Sequence, residues 1–221
     1  MTGLAPASRN GSPPERWVWL SLGLLFLAVE VVLMLADRGL IGSPLWRPLA
    51  YQYGGFWAGL LHGWTPNYAA QPVLMFLSYM TLHAGWQHLL GNLVAMGWLG
   101  LQLEGRLGAG RFVLLFGIAA VGGAVGFGLL SASPRPMVGA SGAIMGLIAV
   151  WIAADAQAMR DEGASRRRIW GMVLGRTALI AALNGLAWVL EAGGLAWETH
   201  LGGFVAASLA MALVPGLRPR G

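Results

Sequence analysis

Residues 139–155 read GASGAIMGLIAVWIAAD, an apolar run that opens on a hydroxyl set among glycines and closes on a carboxylate. The run predicts a buried helix. Gly139, Gly142 and Gly146 fall three and four residues apart, so they share one helical face with Ser141 at its edge. Small residues on a face allow a second helix to approach backbone to backbone. A serine beside such a contact, inside an apolar segment, is a polar group whose presence needs a reason.

The rest of the chain places that helix in a bilayer. Of 221 residues, 57% are hydrophobic and 10% charged, a balance that a water-soluble domain of this size could hardly carry on its surface. Six apolar segments approach spanning length, roughly 17–37, 86–104, 112–130, 139–155, 170–190 and 195–214. They predict an all-α membrane protein with a transmembrane domain over 17–216, a disordered tail over 1–16 that contains Pro6, Gly11, Pro13 and Pro14, and a short tail over 217–221. The absence of cysteine excludes disulfides, thiolate nucleophiles and Cys-type zinc sites.

All 14 basic residues are arginines that lie between apolar stretches rather than on one basic face. That pattern reads as topology and not as a nucleic-acid surface. With the N-terminus inside, eleven arginines fall on the cytoplasmic side and only Arg38, Arg47 and Arg135 outside, so both termini are expected to be cytoplasmic. Arginine without lysine, with abundant alanine and glycine, suggests a GC-rich bacterial genome and hence a bacterial inner membrane. The stretch from about 38 to 85 carries Trp46, Tyr51, Tyr53, Trp57, Trp64 and Tyr68, rings that favour a membrane–water boundary, and predicts a large interfacial first loop. Its end, Pro72 to Leu82, is too short to span.

Four polar residues converge in depth. At about 1.5 Å rise per residue and a core about 30 Å thick, Ser141 lies roughly 21 Å above Asp155, or about 9 Å below the outer surface. His200 comes out roughly 8 Å below that surface, His88 about 6 Å and Asn92 about 12 Å. His88 and Asn92 are four apart and share a face with Met96, while Gly203 and Ala207 line the face of the sixth segment that carries His200. A hydroxyl and an imidazole within reach of each other are what a general base needs to activate a weak nucleophile. The fourth segment, at seventeen residues or about 26 Å, also looks too short for the hydrocarbon layer. Its N-terminus is expected below the surface, under a water-accessible cavity, with free N–H groups beside Ser141 suited to an oxyanion.

These residues carry a resemblance. The sequence resembles the rhomboid proteases: GxSG appears as Gly139-Ala140-Ser141-Gly142, the base as His200 followed by Gly203, and the second segment begins His83-Ala84-Gly85-Trp86-Gln87-His88-Leu89-Leu90-Gly91-Asn92. Glu104-Gly105-Arg106 looks like the family's ExR motif, and the likeness covers roughly 72–210. It implies a six-transmembrane-helix rhomboid-like bundle, with Ser141 as nucleophile and His200 as general base and acid. His88, Asn92 and the Gly142 backbone would stabilise the oxyanion, with His83, Gly139, Met145 and Gly203 in support. It also implies transmembrane protein substrates, a site toward the periplasmic side, and no cofactor or metal.

The chain departs from the family pattern at three places. Met75 stands where the family's first-loop arginine would align, with Trp46-Arg47 far upstream. Met145 replaces the aromatic residue that usually packs on the catalytic imidazole, and Ala207 replaces a common glycine. Three other readings stay open on the residues alone. A metal site among His62, His83, His88 and His200 has no HExxH and poor helical spacing. A catalytically silent relative that binds membrane clients would usually lack the serine or the histidine, and a small transporter finds no inverted repeat.

Overall fold

The computed structural model describes residues 14–221, and its regular structure is helical, with one isolated bridge between Phe56 and Met137. The α-helices are α1 (Pro14–Asp37), α2 (Trp46–Gly54), α3 (Gln71–Ser78), α4 (Trp86–Leu103), α5 (Ala109–Leu130), α6 (Ser141–Asp161), α7 (Arg166–Leu190) and α8 (Trp197–Leu213). Each of the six apolar segments lies on one of them. Four are long and apolar enough to cross a membrane: α1 from Glu15, α5, α6 and α7. Of the other two, α8 stops at 17 residues and α4 carries Gln87, His88, Asn92 and Gln102.

Helices α5, α6 and α8 pack on one another, with α4 alongside α6. Small residues set its spacing. A methyl at Gly203 of α8 would collide with the carbonyl oxygen of Gly142, and one at Gly146 would collide with Ala119 and crowd Ala207. Gly122 and Gly126 of α5 close on Gly202 in the same way. Lipid offers little hydrophobic drive for helices to pair, so contacts this close draw on dispersion between backbones. Helix α7 stands apart, with Ile169 its one buried residue.

The fourth segment is longer than the sequence suggested. Helix α6 has 21 residues and runs past Asp155 to Asp161, so shortness does not sink its N-terminus. The helix continues through a carboxylate because that carboxylate is paired: Asp155 accepts from Arg106 at 2.5 Å and from Arg176 at 2.6 Å. The Arg176 guanidinium also lies over the Trp151 ring, 3.8 Å from its centre. Nearby, Arg16 grips both oxygens of Glu104 at 2.7 Å, and Glu15 accepts from the backbone of Gly105 and Gly108. Helix α1 thus begins at Pro14, inside the stretch predicted as a tail, whose residues 1–13 lie outside those described. At the other terminus the Arg220 N–H donates to the Arg106 carbonyl.

The segment between α1 and α4 is organised by Arg47. Its guanidinium bridges Glu30 at 2.9 and 3.0 Å, Asp37 at 2.7 Å and the His83 carbonyl at 3.1 Å, and Tyr51 donates to the same carbonyl at 2.6 Å. Arg47 thus ties α1 to the residues just before α4, from a position 28 residues upstream of Met75 (75 − 47). Met75 itself is fully buried, clustered with Phe56, Tyr79 and Phe127.

Candidate active site

The stretch leading into Ser141 is fixed from two sides. Phe56 and Met137 exchange backbone hydrogen bonds at 3.0 and 2.9 Å, and the Gly139 N–H donates to the Tyr79 carbonyl at 3.0 Å. Tyr79 is itself buried and anchored through its hydroxyl to the Ala120 carbonyl, 2.8 Å away. Gly139 is required here twice over. Its φ of +116° is unfavourable for any side chain, and a Cβ would run into the His88 ring.

Ser141 is the first residue of α6 and is half-buried. The bond from the Ile144 N–H to the Ala140 carbonyl opens the helix, which leaves the N–H groups of Ser141, Gly142 and Ala143 outside its ladder. They form the positive end of the helix dipole. Among the described residues the Ser141 hydroxyl has no hydrogen-bond partner, His200 included. His200 lies in the first turn of α8, whose Thr199 is buried against Gly142 and donates to the Gly123 carbonyl at 2.9 Å. The close approach of Gly142 to Gly203 therefore brings the first turns of α6 and α8 side by side.

His88 reaches this stretch from α4, its ring against Gly139, and Asn92 lies one turn further along the same helix. The His88 Nδ1 accepts from the Ala84 N–H at 3.3 Å, so the neutral ring carries its hydrogen on Nε2, the edge against Gly139. Asn92 is 6% exposed, and its side-chain NH2 is buried without a partner. A buried donor left unmet costs about 1–3 kcal/mol, an expense that makes sense where an acceptor arrives with a ligand.

His83 plays a different part. It is fully buried between the Phe26 ring, tilted at 5.5 Å, and the His88 ring, edge-on at 5.4 Å, with no partner for either ring nitrogen. Burial, reinforced by the neighbouring His88, holds its pKa down at about 4, so the ring is neutral and packs as an aromatic wall behind His88.

Beside His200 opens a cleft of about 520 Å³ between α6, α7 and α8, lined by Met145, Ile180, Asn184, Trp188, Trp197 and Phe204, among others. Met145 thus borders the same space as the imidazole. Sequence reasoning missed Asn184, whose side-chain oxygen meets His200 Nδ1. The signal was available, since an asparagine inside an apolar segment is as conspicuous as Asn92.

A family model for the Rhomboid domain matches residues 70–216. The chain belongs to the rhomboid family. Among its relatives, the rhomboid protease GluP of Bacillus subtilis is 27% identical over 136 residues, which cover 62% of this chain and 25% of GluP. RHOMBOID-like protein 2 of Arabidopsis thaliana is 38% identical over 107 residues, 48% of this chain and 28% of that protein. RHOMBOID-like protein 5 of the same plant is 37% identical over 73 residues, 33% of this chain and 24% of its own length. This rhomboid chain spans about a quarter of the length of each of these relatives.

Proposed function

We propose that this rhomboid is an intramembrane serine endopeptidase that hydrolyses peptide bonds in or near transmembrane segments of membrane-protein substrates through a Ser141–His200 dyad. The observation that carries the reading is the close approach of Gly142 to Thr199 and Gly203, which sets the N-terminal turns of α6 and α8 against each other. The open Ser141 hydroxyl is compatible with it, because catalytic hydrogen bonds often tighten only when substrate binds.

In this mechanism His200 Nε2 takes the Ser141 hydroxyl proton as the oxygen attacks the scissile carbonyl carbon. The oxyanion that forms accepts from the free N–H groups of Ser141 and Gly142, from His88 Nε2–H and from the unpartnered Asn92 amide. His200 then gives its proton to the departing amine, and the C–N bond breaks to leave an acyl-serine. A water, deprotonated by the same imidazole, then attacks that ester; the C–O bond to Ser141 breaks, the imidazolium returns the proton to the serine oxygen, and the new carboxyl end leaves. The apolar cleft beside His200 would receive an apolar stretch of substrate.

The same reading places α1, α4, α5, α6, α7 and α8 as six spans of a bacterial inner membrane. Both termini are then cytoplasmic, the 38–85 loop lies in the outer interface, and the site is toward the periplasm. The eleven-to-three arginine count supports that orientation. A fluorophosphonate probe tests the chemistry in purified protein. Wild type should label covalently, Ser141→Ala should not, and His200→Ala should label far more slowly. A wild-type chain that folds and never labels would instead be a client-binding relative.

A further inference from the structure

We propose that Asn184 is a positioning residue for the general base: its side-chain oxygen takes the Nδ1 hydrogen of His200 and so turns the basic Nε2 toward Ser141. The proposal rests on the dyad reading above. Its starting point is the orientation of the Asn184 amide, which is set independently of His200. The Asn184 NH2 donates to the Ile180 carbonyl one turn back on α7, at 2.9 Å, and that bond points the amide oxygen away from its own helix. The atom it meets is His200 Nδ1.

An amide oxygen only accepts, so the neutral imidazole must carry its hydrogen on Nδ1. The other tautomer would set the Nδ1 lone pair against the Asn184 oxygen. With Nδ1 protonated, Nε2 keeps its lone pair and is the nitrogen able to act as base. The contact persists after proton transfer, because the imidazolium still donates from Nδ1.

Two further observations favour this role over a general tie between helices. Asn184 lies in the last third of α7, two turns before its end, and lines a cleft whose named neighbours, Ile180, Trp188, Trp197 and Phe204, are apolar or aromatic. A polar group there is stabilised by these two bonds. Second, the residue one turn after Ser141 is Met145, which cannot fix a ring plane by stacking as an aromatic would, so the imidazole needs another constraint. A hydrogen bond at Nδ1 supplies one that also selects the tautomer.

The test compares wild type with Asn184→Leu, similar in size but without an acceptor, and Asn184→Asp, which keeps an oxygen in place. Three readouts are taken: kcat and KM on a transmembrane substrate, the fluorophosphonate labelling rate, and 15N spectra of the His200 ring, assigned with His200→Ala. Asn184→Leu should lower kcat and labelling together by roughly 10- to 100-fold, part of the 10²–10⁴ a positioned base contributes, with KM little changed. Its His200 ring should lose the Nδ1–H tautomer, and Asn184→Asp should restore most of the labelling.

An unchanged labelling rate in Asn184→Leu overturns the proposal. So does a rise confined to KM, which would make Asn184 a substrate contact, or equal loss in both variants, which would make it a packing residue. If wild type itself fails to label, the dyad reading is what falls. The ring spectra then still decide whether Asn184 selects the tautomer.

Discussion

Replacing Arg47 by methionine tests how the first loop is held. Arg47 is the partner of Glu30, a carboxylate with no exposed surface on α1, and it also binds Asp37, the Tyr51 hydroxyl and the His83 carbonyl. Methionine keeps much of the side chain's length and removes every donor. Glu30 is then a buried charge without a partner, and breaking a buried pair in this way costs about 3–5 kcal/mol. The Asp37 contact adds little, because that carboxylate is 38% exposed and such pairs contribute about 0–1 kcal/mol.

The double variant Arg47→Met, Glu30→Leu removes the orphaned charge as well. It should regain about 2 kcal/mol or more of the loss, since a buried ion pair replaced by apolar groups is often close to neutral. Equilibrium unfolding in detergent micelles, with both single variants completing the cycle, measures the coupling. A loss below about 1 kcal/mol in Arg47→Met, or a double variant that costs the sum of the singles, would refute the view that the Glu30 pair holds this loop.

Asn92→Ala should slow cleavage by at most about 10²–10³-fold with little change in folding, as for loss of one oxyanion donor; an unchanged rate removes Asn92 from the site. Gly203→Val must push α8 away from the Gly142 carbonyl, so activity should vanish, whereas Gly163→Ala, a turn position where a methyl meets nothing, should cost stability only. His83 contributes to stability through its low pKa. Above pH 6.5 the folded and unfolded rings are both neutral and that contribution is complete. As the pH falls toward 4 the unfolded chain takes up a proton first, and about 3 kcal/mol is lost. His83→Phe should therefore flatten the acid limb of the unfolding temperature, and an unaltered limb would contradict the buried neutral ring.

The helices were legible because hydropathy and spacing are local properties. Gly142, Gly146, Gly203 and Ala207 mark the α6–α8 contact by their spacing alone, since small residues at helical intervals have few other uses in an apolar segment. Helix ends were less legible. Asp155 looked like the end of a span because its partners, Arg106 and Arg176, come from elsewhere in the chain. Glu30 is a lone carboxylate in an apolar run, and nothing local identifies its partner as Arg47, 17 residues away across a turn. Asn184 stands out locally by its polarity, but its role depends on a histidine brought against it by the fold.

If Ser141 and His200 form one catalytic unit in the bilayer, removing both should cost no more than removing either. Cleavage of a single-span reporter co-reconstituted in proteoliposomes tests it most directly, comparing wild type with Ser141→Ala, His200→Ala and the double variant. Wild type alone should cut, and the double variant should be no worse than either single one, as residues acting together behave. Turnover at the wild-type rate by Ser141→Ala or His200→Ala would contradict it.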